Sequence, residues 1–142
     1  MKLVNITEEN ISFYQQFENC YYENLSMYLS RIYPDSNSVI KWCYINENNK
    51  NIGSIWLEKV EENILKLGIF ISDEKYRNKG LGTLAIKKML DFAKFNNYKA
   101  VTLNVRAENQ RAFNTYQNLG FMKINQYVKN NGIEVISMTY EL

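Results

Sequence analysis

Residues 77–82 read Arg-Asn-Lys-Gly-Leu-Gly, and a helical pattern opens directly behind them. The chain has only six glycines, and two of them stand here in basic company. The first amides of a helix have no partner within it and carry a partial positive charge. A phosphate can rest on them. Side chains would block its close approach, and Gly80 and Gly82 remove that obstacle. Arg77 and Lys79 bring positive charge to the same place. The pattern Arg-x-x-Gly-x-Gly, after a strand and opening a helix, therefore reads as a pyrophosphate cradle. A tight turn with no ligand is the plainer alternative. Two other glycine loops fail on the residues. A Walker loop ends in Gly-Lys-Ser/Thr, but here Thr83 follows Gly82 directly. A dinucleotide fingerprint needs a third glycine and a βαβ unit at the start of a parallel sheet.

A second spacing lies downstream. Asn109, Ala112, Phe113, Tyr116, Leu119, Gly120 and Phe121 fall at helical intervals. On spacing alone Phe113, Tyr116 and Leu119 form one apolar face, Asn109 is a helix cap and Gly120 a helix stop. Tyr116 also carries a phenol, which near pKa 10 can donate a proton. The chain has no histidine. That removes mechanisms with an imidazole base and argues against a catalytic zinc, so no metal is expected. Cys43 sits in an apolar run without a base beside it, and reads as an inert buried thiol.

The elements that must hold these residues follow from pattern. KLVNI (2–6) reads as a short strand. Thr7 reads as a helix N-cap with Asn10 at N3. Apolar residues at three- and four-residue spacing over 11–32 predict two helices, broken near 19–22 and stopped before Pro34. Runs 39–45, 51–60 and 64–71 predict a three-strand antiparallel meander with Asn-rich turns. Gly53 and Gly68 within it predict bulges or close backbone approach. A helix is expected from about Leu81 to Phe95, with Gly82, Ala85, Ile86, Met89 and Ala93 on one face. Run 100–105 follows it as a strand pairing parallel to an earlier one. A helix over 107–120 precedes strands 121–128 and 133–142, joined at Asn131-Gly132.

The fold expected is α+β: one mixed sheet with helices on its faces, a single domain over 1–142. The formal net charge of +2 is too small to mark a nucleic-acid protein by charge alone. Two cysteines imply no disulfide framework and fit a reducing, cytoplasmic setting. The N-terminus has no signal-peptide core, and no apolar window is long enough to span a membrane.

Arg77-x-x-Gly80-x-Gly82 resembles the first motif of the GNAT superfamily, the acyl-CoA-dependent N-acyltransferases. Asn109-x-x-Ala112-Phe113-x-x-Tyr116-x-x-Leu119-Gly120-Phe121 is similar to its second motif. The resemblance is clear over about 64–128, and the order of elements extends it to the whole chain. It implies the GNAT fold: a mostly antiparallel sheet of about seven strands, a splayed parallel pair of the fourth and fifth, and helices on both faces.

The resemblance also implies acetyl-CoA as co-substrate. It would lie in a V-shaped opening between strands 64–71 and 100–105. Its pantetheine arm would bond the backbone of Ile69, Phe70 and Ile71, and Asn109. Its pyrophosphate would take the amides of Arg77, Asn78, Lys79, Gly80, Leu81, Gly82 and Thr83. A helix terminus contributes about 0.3–1 kcal/mol to an anion. Micromolar binding needs about 8 kcal/mol, so the pantetheine contacts must contribute as well. Tyr116 would protonate the departing thiolate.

The acceptor would be a primary amine of a small molecule or peptide, attacking directly in a ternary complex. At pH 7 only about one lysine-like amine in 2,500 is unprotonated, so something must take its proton. Several family members carry a glutamate on the fourth strand, where this chain has Leu65. Glu58 is then the candidate base, with Glu61 and Glu62 weaker ones and a water relay an equal alternative. Acceptor selection would fall to residues 19–37, with Tyr21, Tyr22, Tyr28, Tyr33, Glu18, Glu23 and Asp35, and to the 128–134 turn. So few carboxylates argue against a polycationic acceptor.

Without its strand-four glutamate the chain could instead hold acyl-CoA without turning it over. A nucleic-acid module using Lys66, Arg77, Lys79, Lys87 and Lys88 is set aside on the near-zero charge. No nucleic-acid or membrane partner is expected; the family resemblance leaves a homodimer through late strands such as 133–142 open.

Overall fold

The computed structural model describes residues 1–22, 29 and 31–142. Seven strands form one sheet: β1 (Lys2–Asn5), β2 (Val39–Glu47), β3 (Lys50–Glu61), β4 (Ile64–Ile71), β5 (Ala100–Arg106), β6 (Met122–Val128) and β7 (Glu134–Glu141), in the order β1-β2-β3-β4-β5-β7-β6. Three α-helices accompany them: α1 (Gln15–Cys20), α2 (Leu81–Phe95) and α3 (Gln110–Leu119). The contacts divide into two compact units. The first is Met1–Glu58 with Gly68–Met89; the second is Lys59–Leu67 with Leu90–Leu142.

In the first unit β2 pairs antiparallel with both β1 and β3. The side chains of Tyr14, Phe17, Ile32, Tyr44, Trp56 and Phe70 form its aromatic core. Rings meet edge-on, Tyr14 against Phe17 at 5.0 Å and Phe17 against Phe70 at 5.2 Å, the geometry that aromatic quadrupoles favour. Gly53 and Gly68 are places of close approach. A Cβ on Gly53 would stand 2.1 Å from the Phe70 carbonyl oxygen, and one on Gly68 would enter the Trp56 ring. The β2–β3 register also slips beside Gly53, between Ile45 and Asn46.

The expected helix start at Thr7 is corrected. Residues 8–10 form a turn, in which Asn10 Oδ1 accepts the Thr7 amide at 2.8 Å. A 3₁₀ turn (Ile11–Tyr14) follows and runs into α1. Asn10 thus makes half of a capping box, but the Thr7 side chain supplies no cap. The second helix expected within 11–32 falls largely outside the described residues.

In the second unit β4 and β5 run parallel, pairing Ile64 with Ala100, Leu65 with Val101 and Lys66 with Thr102. Among the described residues this ladder ends there, although both strands continue. β7 lies between β5 and β6 and pairs antiparallel with both. That central place buries Val135, Ile136 and Met138, whereas the edge strand β6 is exposed throughout. α3 ends on Gly120, whose φ of 115° only glycine adopts readily.

Candidate functional site

The glycine loop closes the end of β4 and opens α2. Asp73 caps a 3₁₀ turn at Glu74–Tyr76, accepting the Lys75 amide at 3.0 Å. The chain then turns back through two left-handed residues, Asn78 at φ 63° and Gly80 at φ 79°. Asparagine tolerates that conformation better than most side chains. The first helical bond runs from the Leu84 amide to the Gly80 carbonyl at 3.0 Å. Among the described residues, no acceptor takes the amides of residues 78–83 at hydrogen-bonding geometry. No acidic residue stands in the first turn of α2. A Cβ on Gly80 would meet nothing within 4 Å, and one on Gly82 only Ile69 and Ile71 at 3.8 Å. Six amides without a partner among the described residues, at a positive helix end, are the kind of donors an anion can take.

Of the two basic residues expected at the anion, the structure assigns Arg77 to other work. Its Nε donates to the Ile71 carbonyl at 2.9 Å and its Nη2 to the Ser72 carbonyl at 3.2 Å. Arg77 thus ties the loop to the end of β4, and it occupies a lone pair of one carbonyl assigned to the pantetheine. Lys79 is exposed and has no partner among the described residues. Along β4 the side chains alternate. Phe70 enters the aromatic core, while Ile69 and Ile71 lie near Gly82.

In the second unit, Asn109 caps α3, its Oδ1 accepting the Ala112 amide at 3.2 Å. Its Nδ2 has no partner among the described residues, so a donor remains for a ligand carbonyl. Tyr116 lies two turns on. Its carbonyl takes the Phe121 amide at 3.0 Å beyond Gly120, a Schellman closure. Its ring lies 6.1 Å from Phe121, which in turn packs on Tyr140. Tyr116 is half-buried, and its hydroxyl makes no hydrogen bond among the described residues. Burial pushes its phenol up to about 12, so it stays protonated at neutral pH.

Glu58 is neither the free base nor the solvated carboxylate that its sequence position allows. It is 3% exposed. Arg31 grips it end-on, Nη2 to Oε1 at 2.6 Å and Nη1 to Oε2 at 2.9 Å. The Asp35 amide donates at 2.7 Å and the Trp56 indole at 3.2 Å. Burial pushes the carboxyl up, but these donors outweigh it and hold it below the usual range. A carboxylate with every face occupied and a depressed pKa is a poor proton acceptor. Glu61 and Glu62 are exposed, and Leu65 is fully buried. Cys43 is buried, its thiol donates to Asn5 Oδ1, and burial pushes it up, as an inert thiol requires. On the acceptor side, Tyr33 donates its hydroxyl to Glu18. Tyr28 and Glu23 lie outside the described residues.

The Arg31–Glu58 fork is the feature that sequence reading missed. Its partners stand 27 residues apart, with no periodicity joining them. The one local sign was a glutamate inside a strand of buried residues.

The family model for the acetyltransferase (GNAT) family matches residues 6–121, and the chain belongs to that family. It is 32% identical over 92 residues to the spermine/spermidine N(1)-acetyltransferase of Bacillus subtilis, covering 64% of this chain and 53% of that protein. Of the N-acetylaspartate synthetases of Xenopus tropicalis and Danio rerio, which it also matches, it spans only about a quarter of the length. The ribosomal-protein-alanine N-acetyltransferase from Brucella melitensis shares the fold at a TM-score of 0.80 and 12% identity, with all of both chains covered. A GNAT family acetyltransferase from Elizabethkingia anophelis, solved with acetyl-CoA bound, overlays at 0.65 and 21% identity over 75% of this chain and 78% of its own. Family and relatives together support an acetyl-CoA-dependent N-acetyltransferase.

Proposed function

We propose that the chain, as one domain over 1–142, moves an acetyl group from acetyl-CoA to a primary amine of a small molecule or peptide, by direct attack in a ternary complex. The observation that carries this reading is the run of six open amides at residues 78–83. In this reading the amides of Asn78, Lys79, Gly80, Leu81, Gly82 and Thr83 serve the pyrophosphate, with Lys79 the side chain nearest in kind; the Arg77 amide donates to the Glu74 carbonyl at 3.2 Å, and Arg77 holds the loop to β4. The backbone of Ile69, Phe70 and Ile71 and the Asn109 amide hold the pantetheine. The amine nitrogen attacks the thioester carbonyl, the carbon–sulfur bond breaks, and Tyr116 gives its proton to the sulfur. The raised pKa of Tyr116 supports a standing donor and makes it a weak acid, so transfer must be concerted with sulfur departure.

The amine proton leaves through water, because Glu58 is occupied and the strand-four position is Leu65. The polyamines named for the Bacillus subtilis relative enter as acceptors to test. The enzyme acts in the cytoplasm, without nucleic acid or membrane, and pairs with a second copy through its late strands. No helix of the described residues is long and apolar enough to cross a membrane. Release of free thiol from acetyl-CoA across a panel of amino acids, polyamines and peptides tests the proposal. Amine-dependent release with a matching N-acetyl product supports it. Tight acetyl-CoA binding with no release for any amine contradicts it, and returns the chain to a binding role.

A further inference from the structure

Arg31 carries five N–H donors, and the structure accounts for three. Nη1 gives one to Glu58 Oε2 and one to the Tyr33 carbonyl, each at 2.9 Å. Nη2 gives one to Glu58 Oε1 at 2.6 Å. The two left over are the Nε hydrogen and the outer Nη2 hydrogen. They lie parallel on one edge of the guanidinium, the spacing that a carboxylate fills with two bonds. Among the described residues neither has an acceptor. The side chain is 41% exposed, so the edge is reachable, yet Glu58 at 4% side-chain exposure fixes its direction.

The same guanidinium lies over the Trp56 ring, 6.0 Å from its centroid. That ring lies against Gly68 on β4, so closely that a Cβ there would stand 2.2 Å from it. Ile69, where the strand's assigned hold on pantetheine begins, is the next residue. Arg31 therefore lies by the Gly68–Phe70 face of β4, beside the segment assigned to the pantetheine.

Resting on the transferase reading, we infer that Arg31 is a specificity-determining residue that takes a carboxylate of the acceptor on its Nε–Nη2 edge. The acceptor is then a zwitterion, an amine carrying its own carboxylate. Local charge agrees. Arg31 and Glu58 cancel, and the Asp35 amide and Trp56 indole disperse the buried charge further. A polycation would meet the fixed guanidinium, while a zwitterion brings its own counter-charge.

The test compares α-amino acids with their own carboxamides, and with spermidine, in wild type and in Arg31→Lys, which keeps the charge and loses the fork. Wild type is expected to favour the acid in kcat/KM by at least about tenfold, as a charge-assisted pair supports. Arg31→Lys is expected to level that preference while binding acetyl-CoA as wild type does. Equal use of acid and amide by wild type, or a preference that survives Arg31→Lys, overturns the inference.

If no amine is turned over, the transferase reading has failed, and binding decides the inference. N-acetyl amino acids should then bind while their amides do not, and should shift the Arg31 Nε–H resonance in wild type. An unmoved resonance overturns the inference. The same resonance serves if Arg31→Lys proves not to fold.

Discussion

A tyrosine that protonates a thiolate must keep its proton until the sulfur leaves. In the transferase reading that tyrosine is Tyr116, whose phenol is protonated at neutral pH at its ordinary value and is lifted to about 12 by burial. Tyr116→Phe should lower kcat by about a hundredfold, within the range of a lost general acid, and leave acetyl-CoA affinity unchanged. A joint fall of rate and affinity would instead mark Tyr116 as packing. The place of Tyr116 on α3 was legible from helical spacing, whereas the fate of Glu58 was not. A strand sequence shows that a glutamate is present, but not that an arginine from a distant segment will close on it. The held-down Glu58 carboxyl gives a prediction of its own. It stabilises the fold above its unfolded pKa of about 4.5, and that contribution is lost as pH falls through the lower folded value. The midpoint of thermal unfolding should therefore drop on acidification below that point, and less steeply in Glu58→Gln.

At the scale of elements, α3 shows how one asparagine can serve two ends. Its Oδ1 holds the first turn, and its Nδ2, without a partner among the described residues, is the donor we propose for the pantetheine. Asn109→Ala should cost about 1 kcal/mol of stability, the usual worth of a cap, and weaken acetyl-CoA as well. Asn109→Asp keeps the cap oxygen and loses the donor, so stability should hold while affinity falls. Denaturant titration beside calorimetry separates the two. A variant that loses neither would leave Asn109 outside the site. The boundaries of α2, α3 and the hairpins were readable because caps, glycines and Asn-rich turns act over a few residues. Thr7 misled for the same reason. The local pattern favoured a helix, but the Asn10 and Ile11 amides bonding its carbonyl, and Asn10 reaching back to its amide, close only a turn that runs into the 3₁₀ segment. The tie from Arg77 to the end of β4 was equally hidden, since sequence spacing shows a charge but not the direction of its side chain.

For the whole molecule, the meander over 39–71 and the parallel pairing of the fourth and fifth strands were legible from strand succession together with the family motifs; the place of β7 between β5 and β6 was not, since it rests on pairs far apart in the chain. The formal charge of +2 gives little long-range attraction for a polyanion such as CoA, so affinity must come from local donors. We propose that those donors are the amides at residues 78–83. Gly82→Glu tests them cleanly. A Cβ there meets only ordinary contacts at 3.8 Å, the position is the first turn of α2, and a carboxylate is favourable at a helix start. The variant should fold at least as stably as wild type while laying its own negative charge on the anion site. Calorimetric titration of acetyl-CoA and CoA into both proteins is the most direct measurement. The account predicts micromolar binding of both ligands to wild type and a loss of about a hundredfold or more, roughly 2.7 kcal/mol, in the variant. Equal binding to the two proteins, or no binding to wild type, would contradict it.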